Sequence, residues 1–297
     1  MKKMLFVFNP KAGKALIKNR LLEIIDLFVK EGYEVTTHPT QAYLDAFDVV
    51  KERGAEYDLV VCSGGDGTLD EVVSGMMHLE ERIPIGYIPA GSTNDFANSL
   101  KLPKNMIKAA NTIMKGKRFS CDIGSFNDSF FVYIAAFGIF TDVSYETKQE
   151  LKNILGHLAY LLEGVKRLYG IKSYHLKAEY EDQEIEGDFI YGMITNSISV
   201  GGFKNMTGKN VKLNDGVFEV TLIQRPANPI ELQEIITSLM TAEVKSNNIY
   251  SFKTSHLKIT SDMDIPWTLD GEYGGEHIEV DIKNENHAVD IMVDPKY

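Results

Sequence analysis

The chain has 297 residues, 44% hydrophobic, 25% charged and 10% aromatic, which is ordinary for a globular protein and speaks against disorder, a fibre or low complexity. That length accommodates two domains of common size. The formal charge of −11 excludes the basic footprint of a nucleic-acid binder and weighs against purely electrostatic docking on an anionic membrane.

Cys62 and Cys121 are the two cysteines, each in or beside an apolar stretch, which reads as a pair of reduced core thiols in a cytoplasmic protein. The opening MKKMLFVFNP has too short an apolar run for a signal peptide. The longest apolar run, FFVYIAAFGIF at 130–140, falls well short of the ~20 residues a membrane helix needs. The expectation is a soluble, cytoplasmic protein whose contact with a membrane is peripheral.

Up to about residue 115, short apolar runs alternate with helical periodicity, the pattern of a parallel sheet flanked by helices. MLFVF (4–8) predicts a strand, and Ile17, Leu21, Ile24, Leu27 and Phe28 predict a helix ending at Gly32. YEVTTH (33–38) is a second strand, followed by a helix over 44–53. DLVVCS (58–63) is a third, apolar throughout as a strand buried on both faces should be. A helix marked by Leu69, Val72, Val73 and Met76 follows, then IPIGYIP (83–89) as a fourth strand, then mostly helix over 94–114, interrupted at Pro103.

Beyond residue 118 strands dominate: CDIGSF, FFVYIAAFG, YHLKAEY, FIYGMIT, FEVTLIQ, HLKIT, HIEVDI and AVDIMV. Turn signals at Asn127-Asp128, Asp215-Gly216 and Asn284 to Asn286 separate many of them, which predicts a mainly antiparallel β-sandwich or barrel. Helical patterns interrupt it at about 148–169 and 229–242. The predicted organisation is an α/β domain over 1–118 and a β-rich domain over 119–297, packed without a linker and leaving a cleft.

Three loops follow three predicted strands: NPKAGKA (9–15), SGGDGT (63–68) and PAGSTND (89–95). Ligands of open parallel sheets bind beyond the carboxyl ends of strands. Glycines let backbone N–H groups approach an anion, and a following helix N-terminus adds partial positive charge. Neither G-x-x-x-x-G-K-S/T nor G-x-G-x-x-G is present. A carboxylate among phosphates is unfavourable without a cation between them, so Asp66 is expected to hold nucleotide-bound Mg²⁺ or the acceptor hydroxyl beside it. Capping of its own helix is the plainer alternative for Asp66.

NPKAG, SGGDGTLDEVV and PAGSTNDFA resemble the nucleotide-binding blocks of the diacylglycerol kinase catalytic-domain family, which includes sphingosine and ceramide kinases and soluble bacterial lipid kinases. The resemblance continues through GGFKNMTGKNVKLNDGVFEV (201–220) and WTLDGE (267–272). It implies an N-terminal domain of the kind shared with NAD kinase. It implies ATP as donor, with Asn9, Pro10, Lys11, Ala12, Gly13, Thr40, Gly64, Gly65, Asp66, Gly67, Thr68, Leu69, Asp70, Gly91, Thr93 and Asn94 around the nucleotide. Many relatives carry an arginine just after N-D-F-A where this chain has Asn98, and Ser92 replaces a commoner threonine.

In LDGEYGG (269–275), Asp270 and Glu272 lie two apart, which on a strand puts both on one face. A kinase needs a carboxylate to take the acceptor's proton. The resemblance points to this D-G-E, with Glu272 favoured as base and Asp270 orienting it or sharing the role; D-G is equally a hairpin signal. For KLNDGVF (212–218), the residues alone read as a turn, while the resemblance implies a second Mg²⁺ held by the Asp215 carboxylate and the carbonyls of Lys212 and Val217. The segment 148–172, with Leu151, Ile154, Leu155, Leu158, Leu162 and Val165 on one face and five basic residues, fits a membrane-interface helix or a helix covering the sheet. The apolar run Phe137 to Phe140 beside it fits an acyl-chain groove or core.

The reading that results is an ATP- and Mg²⁺-dependent lipid kinase that meets its lipid substrate at a membrane surface. Exposed sheet edges leave a homodimer open. The rivals are NAD kinase, for which no Asn-Glu pair placed for a nicotinamide ribose is found, a 6-phosphofructokinase, which the β-rich second half does not suit, and a nucleotide-binding regulator without turnover.

Overall fold

The computed structural model describes residues 1–139, 172–197, 211–241 and 246–297. The amphipathic segment at 148–171, Phe140 and the 201–210 part of the second-half block lie outside the described residues.

The chain forms two compact units, Met1–Ile123 with Asn286–Tyr297, and Gly124–Glu285. In the first, β1 (Lys2–Phe8) pairs in parallel with both β2 (Tyr33–Pro39) and β3 (Leu59–Gly64), and β3 pairs in parallel with β4 (Ile85–Pro89). The helices are α1 (Leu21–Lys30), α2 (Asp45–Arg53), α3 (Asp66–Met77), the short α4 (Asp95–Ser99) and α5 (Met106–Lys115). Met4, Phe6 and Phe8 alternate onto one face of β1, where they pack with Ile24 and Phe28 of α1 and with Met106, Ala110 and Ile113 of α5. Leu5 and Val7, on the opposite face, are also fully buried, as a central parallel strand requires. Each such large apolar side chain contributes about 1.5–3 kcal/mol of burial.

The predicted first helix is divided: a 3₁₀ turn, Leu16–Asn19, precedes α1, because Ala15 is left-handed (φ 55°) and Arg20 departs from helical geometry.

The division differs from a single cut at residue 118. The last twelve residues return to the first unit, since Ile291 of β13 (Glu272–Val293) pairs in parallel with Ile85. Side chains fasten that return: Ser120 Oγ donates to Asp290 at 2.6 Å, the His287 amide donates to Asp122 at 2.8 Å, and the Phe119 and Tyr297 rings meet edge to face at 4.9 Å.

The second unit contains the rest of β5 (Lys117–Phe126), then β6 (Ser129–Phe131), β7 (Ile134–Gly138), β8 (Tyr174–Tyr180), β9 (Gln183–Thr195), β10 (Phe218–Gln224), helix α6 (Pro229–Thr241), β11 (Ile249–Thr254), β12 (His256–Leu269) and most of β13. Its pairings are antiparallel, in the order β11-β10-β9-β7-β12-β13, with β8 bridging β9 and β12. The ladder curls over on itself, because the ring of Phe131 in β6 lies 5.5 Å from that of Phe218 in β10, a strand far along the pairing order. Trp267 sits in the core so formed, 5.0 Å from Phe126 and 4.8 Å from Phe137.

Two predicted runs end differently. FFVYIAAFG splits into β6 and β7, because the amides of Val132 and Tyr133 go to the Asp270 carboxylate instead of a neighbouring strand. HIEVDI and AVDIMV are one strand, β13: the expected turn at Asn284 stays extended, with its amide donating to Ser255 at 2.8 Å.

Candidate active site

The three glycine-bearing loops converge at the carboxyl ends of β1, β3 and β4. Asn9 N–H donates to the Ser63 carbonyl at 2.9 Å and Ala90 N–H to the Gly64 carbonyl at 2.7 Å, so each loop is tied to the strand beside it. Contact between the loops requires glycine. A Cβ on Gly91 would lie 2.6 Å from Gly65 Cα, and one on Gly13, where φ is +55°, would strike the Ala90 carbonyl oxygen. Gly13, Gly64, Gly65, Thr68 and Gly91 are thereby brought together.

The other expected nucleotide residues shape this cradle in distinct ways. Asn9 folds the first loop, its side chain accepting from Lys11 N–H at 2.9 Å and its carbonyl from Ala12 N–H at 3.2 Å, with Pro10 between. Thr40 leaves the end of β2 and donates to the Phe8 carbonyl at 2.9 Å. Asn94, left-handed at φ 53°, closes the third loop by exchanging two 2.9 Å hydrogen bonds with Gly91. Asn98, at the position where relatives carry arginine, donates to the Thr93 carbonyl at 3.2 Å. Leu69 is 1% exposed and belongs to the interior, whereas Asp70 is half-buried on the same turn of α3.

The N-cap of α3 is Gly65, which has no side chain to cap the first turn, and a helix N-terminus of this kind favours an anion. Asp66 caps a different helix: its carboxylate accepts from the amides of Asp95 and Phe96 at 3.2 and 3.4 Å, where α4 begins. Neither sequence reading of Asp66 foresaw that partner. The contact joins the second glycine loop to the third and sets a negative charge against a helix N-terminus. Burial, with the Asp66 charge adding to it, holds the Tyr87 phenol well above its ordinary range, so it remains a donor to the Gly64 carbonyl, 3.3 Å away. Asp95, 2% exposed, brings a second carboxylate into this loop; its place in N-D-F-A was the signal, and the sequence reading passed over it.

Two acidic residues outside the glycine loops steady their surroundings. Asp45 accepts from Gln41 N–H at 2.6 Å and contacts His38 Nε2 at 2.9 Å, pinning the segment just after Thr40. Glu71 of α3 accepts from Ala46 N–H at 3.1 Å in the first turn of α2. Burial pushes the Asp45 carboxyl up, but the Gln41 amide and His38 outweigh it and hold the carboxyl below its usual range.

In the second unit, Asp270 and Glu272 do not share a strand face. Leu269 pairs with Glu272 across a two-residue turn in which Asp270 (φ 51°) and Gly271 (φ 88°) are both left-handed, the geometry that right-twisted hairpins favour. Asp270 turns inward, 5% exposed, and its carboxylate accepts from Val132, Tyr133 and Ile134 N–H at 2.5, 3.0 and 2.9 Å. Glu272 is exposed, with no side-chain partner among the described residues.

Lys212, Asp215 and Val217 lie in the turn before β10, where Gly216 has φ 77°. The Lys253 ammonium stands 3.6 Å from Asp215 and 2.7 Å from Glu219, a carboxylate only 7% exposed that sequence reading did not single out. Burial pushes the Glu219 carboxyl up, against the pull of Lys253. Among the described residues no three His, Cys, Asp or Glu side chains are grouped to hold a metal ion, and no helix is long and apolar enough to cross a membrane.

Residues 3–126 match the family described as the diacylglycerol kinase catalytic domain. The chain is similar to a diacylglycerol kinase of Bacillus subtilis (strain 168), 35% identical over 278 residues that cover 93% of this chain and 91% of the relative. It is also similar to one of Staphylococcus saprophyticus, 33% identical over 300 residues covering 96% and 98% of the two chains. Among solved structures, a Bacillus anthracis chain named provisionally as a diacylglycerol kinase aligns with a TM-score of 0.82 at 25% identity, covering 99% and 98% of the two chains. A diacylglycerol kinase of the same organism, 22% identical, shares the fold with a TM-score of 0.76 over 99% and 98% of the chains.

Proposed function

The chain belongs to the diacylglycerol kinase catalytic-domain family and is an ATP-dependent lipid kinase, and from that premise we propose that it transfers the γ-phosphoryl group of ATP to the hydroxyl of diacylglycerol or a closely similar lipid. The product would be a phosphatidic-acid-like phosphate monoester. The observation that carries this reading is the convergence of three glycine loops at the carboxyl ends of β1, β3 and β4, around the uncapped N-terminus of α3.

In this reading the parallel sheet of the first unit is the nucleotide scaffold. The amides of Gly65, Asp66, Gly67 and Thr68 receive the phosphates, while Asn9 to Gly13, Thr40, Gly91, Thr93 and Asn94 shape the walls. The donor set suits magnesium, an ion usually bound through one or two carboxylates together with phosphate oxygens and water: Asp66, with Asp95 beside it, would hold it. Bound there with the nucleotide, magnesium supplies charge neutralisation during transfer. Asp66 has two tasks in this scheme, since the amides of α4 orient the carboxylate that faces the ion.

Glu272 is the residue we assign as proton acceptor for the lipid hydroxyl, its exposed carboxylate having no partner among the described residues. Asp270 is a positioning residue: with three amides on its carboxylate it is poorly suited to take a proton, but it fixes the turn from which Glu272 projects. The reading places the lipid at a membrane surface, with the enzyme a peripheral visitor.

The test is γ-labelled ATP offered with a panel of lipids and with NAD, followed by separation of the products. Label is expected in phosphatidic acid and is expected to vanish in folded Glu272→Gln. Label in NADP, or none in any lipid, overturns the assignment.

A further inference from the structure

We propose that the Lys253 ammonium, rather than a divalent ion, neutralises the Asp215 turn, so that this chain holds the loop before β10 in place without the second magnesium that its resemblance implies. The ammonium lies 2.7 Å from Glu219 Oε1 and 3.6 Å from Asp215 Oδ2. Sheet register delivers it there: Glu219 of β10 and Lys253 of β11 are directly opposed, so their side chains share one face of the ladder and meet without a long flexible reach. Glu219 is 7% exposed, and among the described residues Lys253 is the cation that meets it. Leaving such a carboxylate uncompensated is strongly unfavourable, which holds the ammonium in place.

The residues present do not fit a dedicated magnesium cage. Magnesium demands near-octahedral oxygens at about 2.0–2.1 Å and gives up its water reluctantly. Of the expected donors at Lys212, Asp215 and Val217, only Asp215 brings a charge, and that charge is already shared with Lys253. An ion bound to the Asp215 carboxylate would meet the ammonium as a like charge, so it must displace Lys253 from Asp215 to enter. The turn itself is made by Gly216 at φ 77°, a conformation that needs no metal.

Lys253→Met tests the idea on the full, nucleotide-free chain, with thermal melting in chelator or in millimolar magnesium chloride at matched ionic strength, and with manganese titration followed by electron paramagnetic resonance. The unmodified chain should melt at the same temperature in both solutions and bind no manganese tightly. Lys253→Met should acquire a melting temperature several degrees higher in magnesium than in chelator, or fold only when the ion is present. Lys253→Arg, which keeps the positive charge, should behave as the unmodified chain does. The proposal is overturned if chelation lowers the melting temperature of the unmodified chain, if Lys253→Met is indifferent to the ion, or if Lys253→Arg becomes ion-dependent. All these readouts concern the metal and the fold, so they stand apart from whether the lipid assay succeeds.

Discussion

Replacing Asp270 by asparagine, and Glu272 by glutamine, separates a residue that builds the turn from one that takes the proton. The Asp270 carboxylate accepts three amides at 2.5–3.0 Å and is 5% exposed. Asparagine keeps the side-chain shape and tolerates the left-handed backbone at φ 51°, so strain does not confound the comparison. Its amide NH₂, however, must face at least one of the three N–H donors, and its remaining oxygen is uncharged. A hydrogen bond to a charged group contributes about 1.5–3 kcal/mol, and a buried donor left unsatisfied costs about 1–3 kcal/mol. The expected loss is therefore about 3–5 kcal/mol, a large share of the roughly 5–15 kcal/mol that holds a domain folded. At about 2–4 °C per kcal/mol, the melting temperature should fall by roughly 6–20 °C. Glu272→Gln removes no contact among the described residues and should stay within about 0.5 kcal/mol of the parent. Its turnover should nevertheless fall by roughly 10²–10⁴, the usual worth of a positioned base. Calorimetry and the labelled-ATP assay on both variants decide the matter. An Asp270→Asn protein as stable as its parent, or a Glu272→Gln protein with parental turnover, would refute the division of roles.

Gly91→Ala places a methyl group 2.6 Å from Gly65 Cα and 2.8 Å from the Asn94 amide oxygen, which forces the second and third loops apart. At about 1–3 kcal/mol for such overpacking, nucleotide affinity should weaken on the order of tenfold or more while the core of the first unit stays folded; nucleotide titration calorimetry reads this, and unchanged affinity would count against loop contact as the cradle. Asp45 has a folded-state pKa below its unfolded value of 3.8. It therefore contributes stability that is fully present above that value and drains away as the pH falls through the lowered one. Acid titration of the parent and of Asp45→Asn should show this contribution in the parent alone, and identical acid limbs would show that the Gln41 and His38 contacts are not formed in solution.

How much of this was legible in the sequence depended on the range of the interaction. Helical and strand periodicity are local properties, and so are turn signals, so the strands and helices of the first unit could be read close to their observed bounds. The loops NPKAGKA, SGGDGT and PAGSTND were legible for the same reason, because a strand, a glycine turn and a helix follow one another in the chain. Aspartate chemistry was different. Asp66 reads locally as a metal ligand or a cap for its own helix, yet its carboxylate is engaged 29 residues away, at α4. Asp270 reads as one of two strand neighbours, yet it faces amides 137 residues distant, and those amides break the strand they belong to. The return of the last twelve residues to the first unit and the meeting of Lys253 with Asp215 and Glu219 likewise depend on pairing between remote strands. Composition and spacing determine which residues are able to fill or cap a site. Which carboxylate remains free to act is decided only when distant backbone donors and cations have claimed the others, and that competition exists solely in the folded chain.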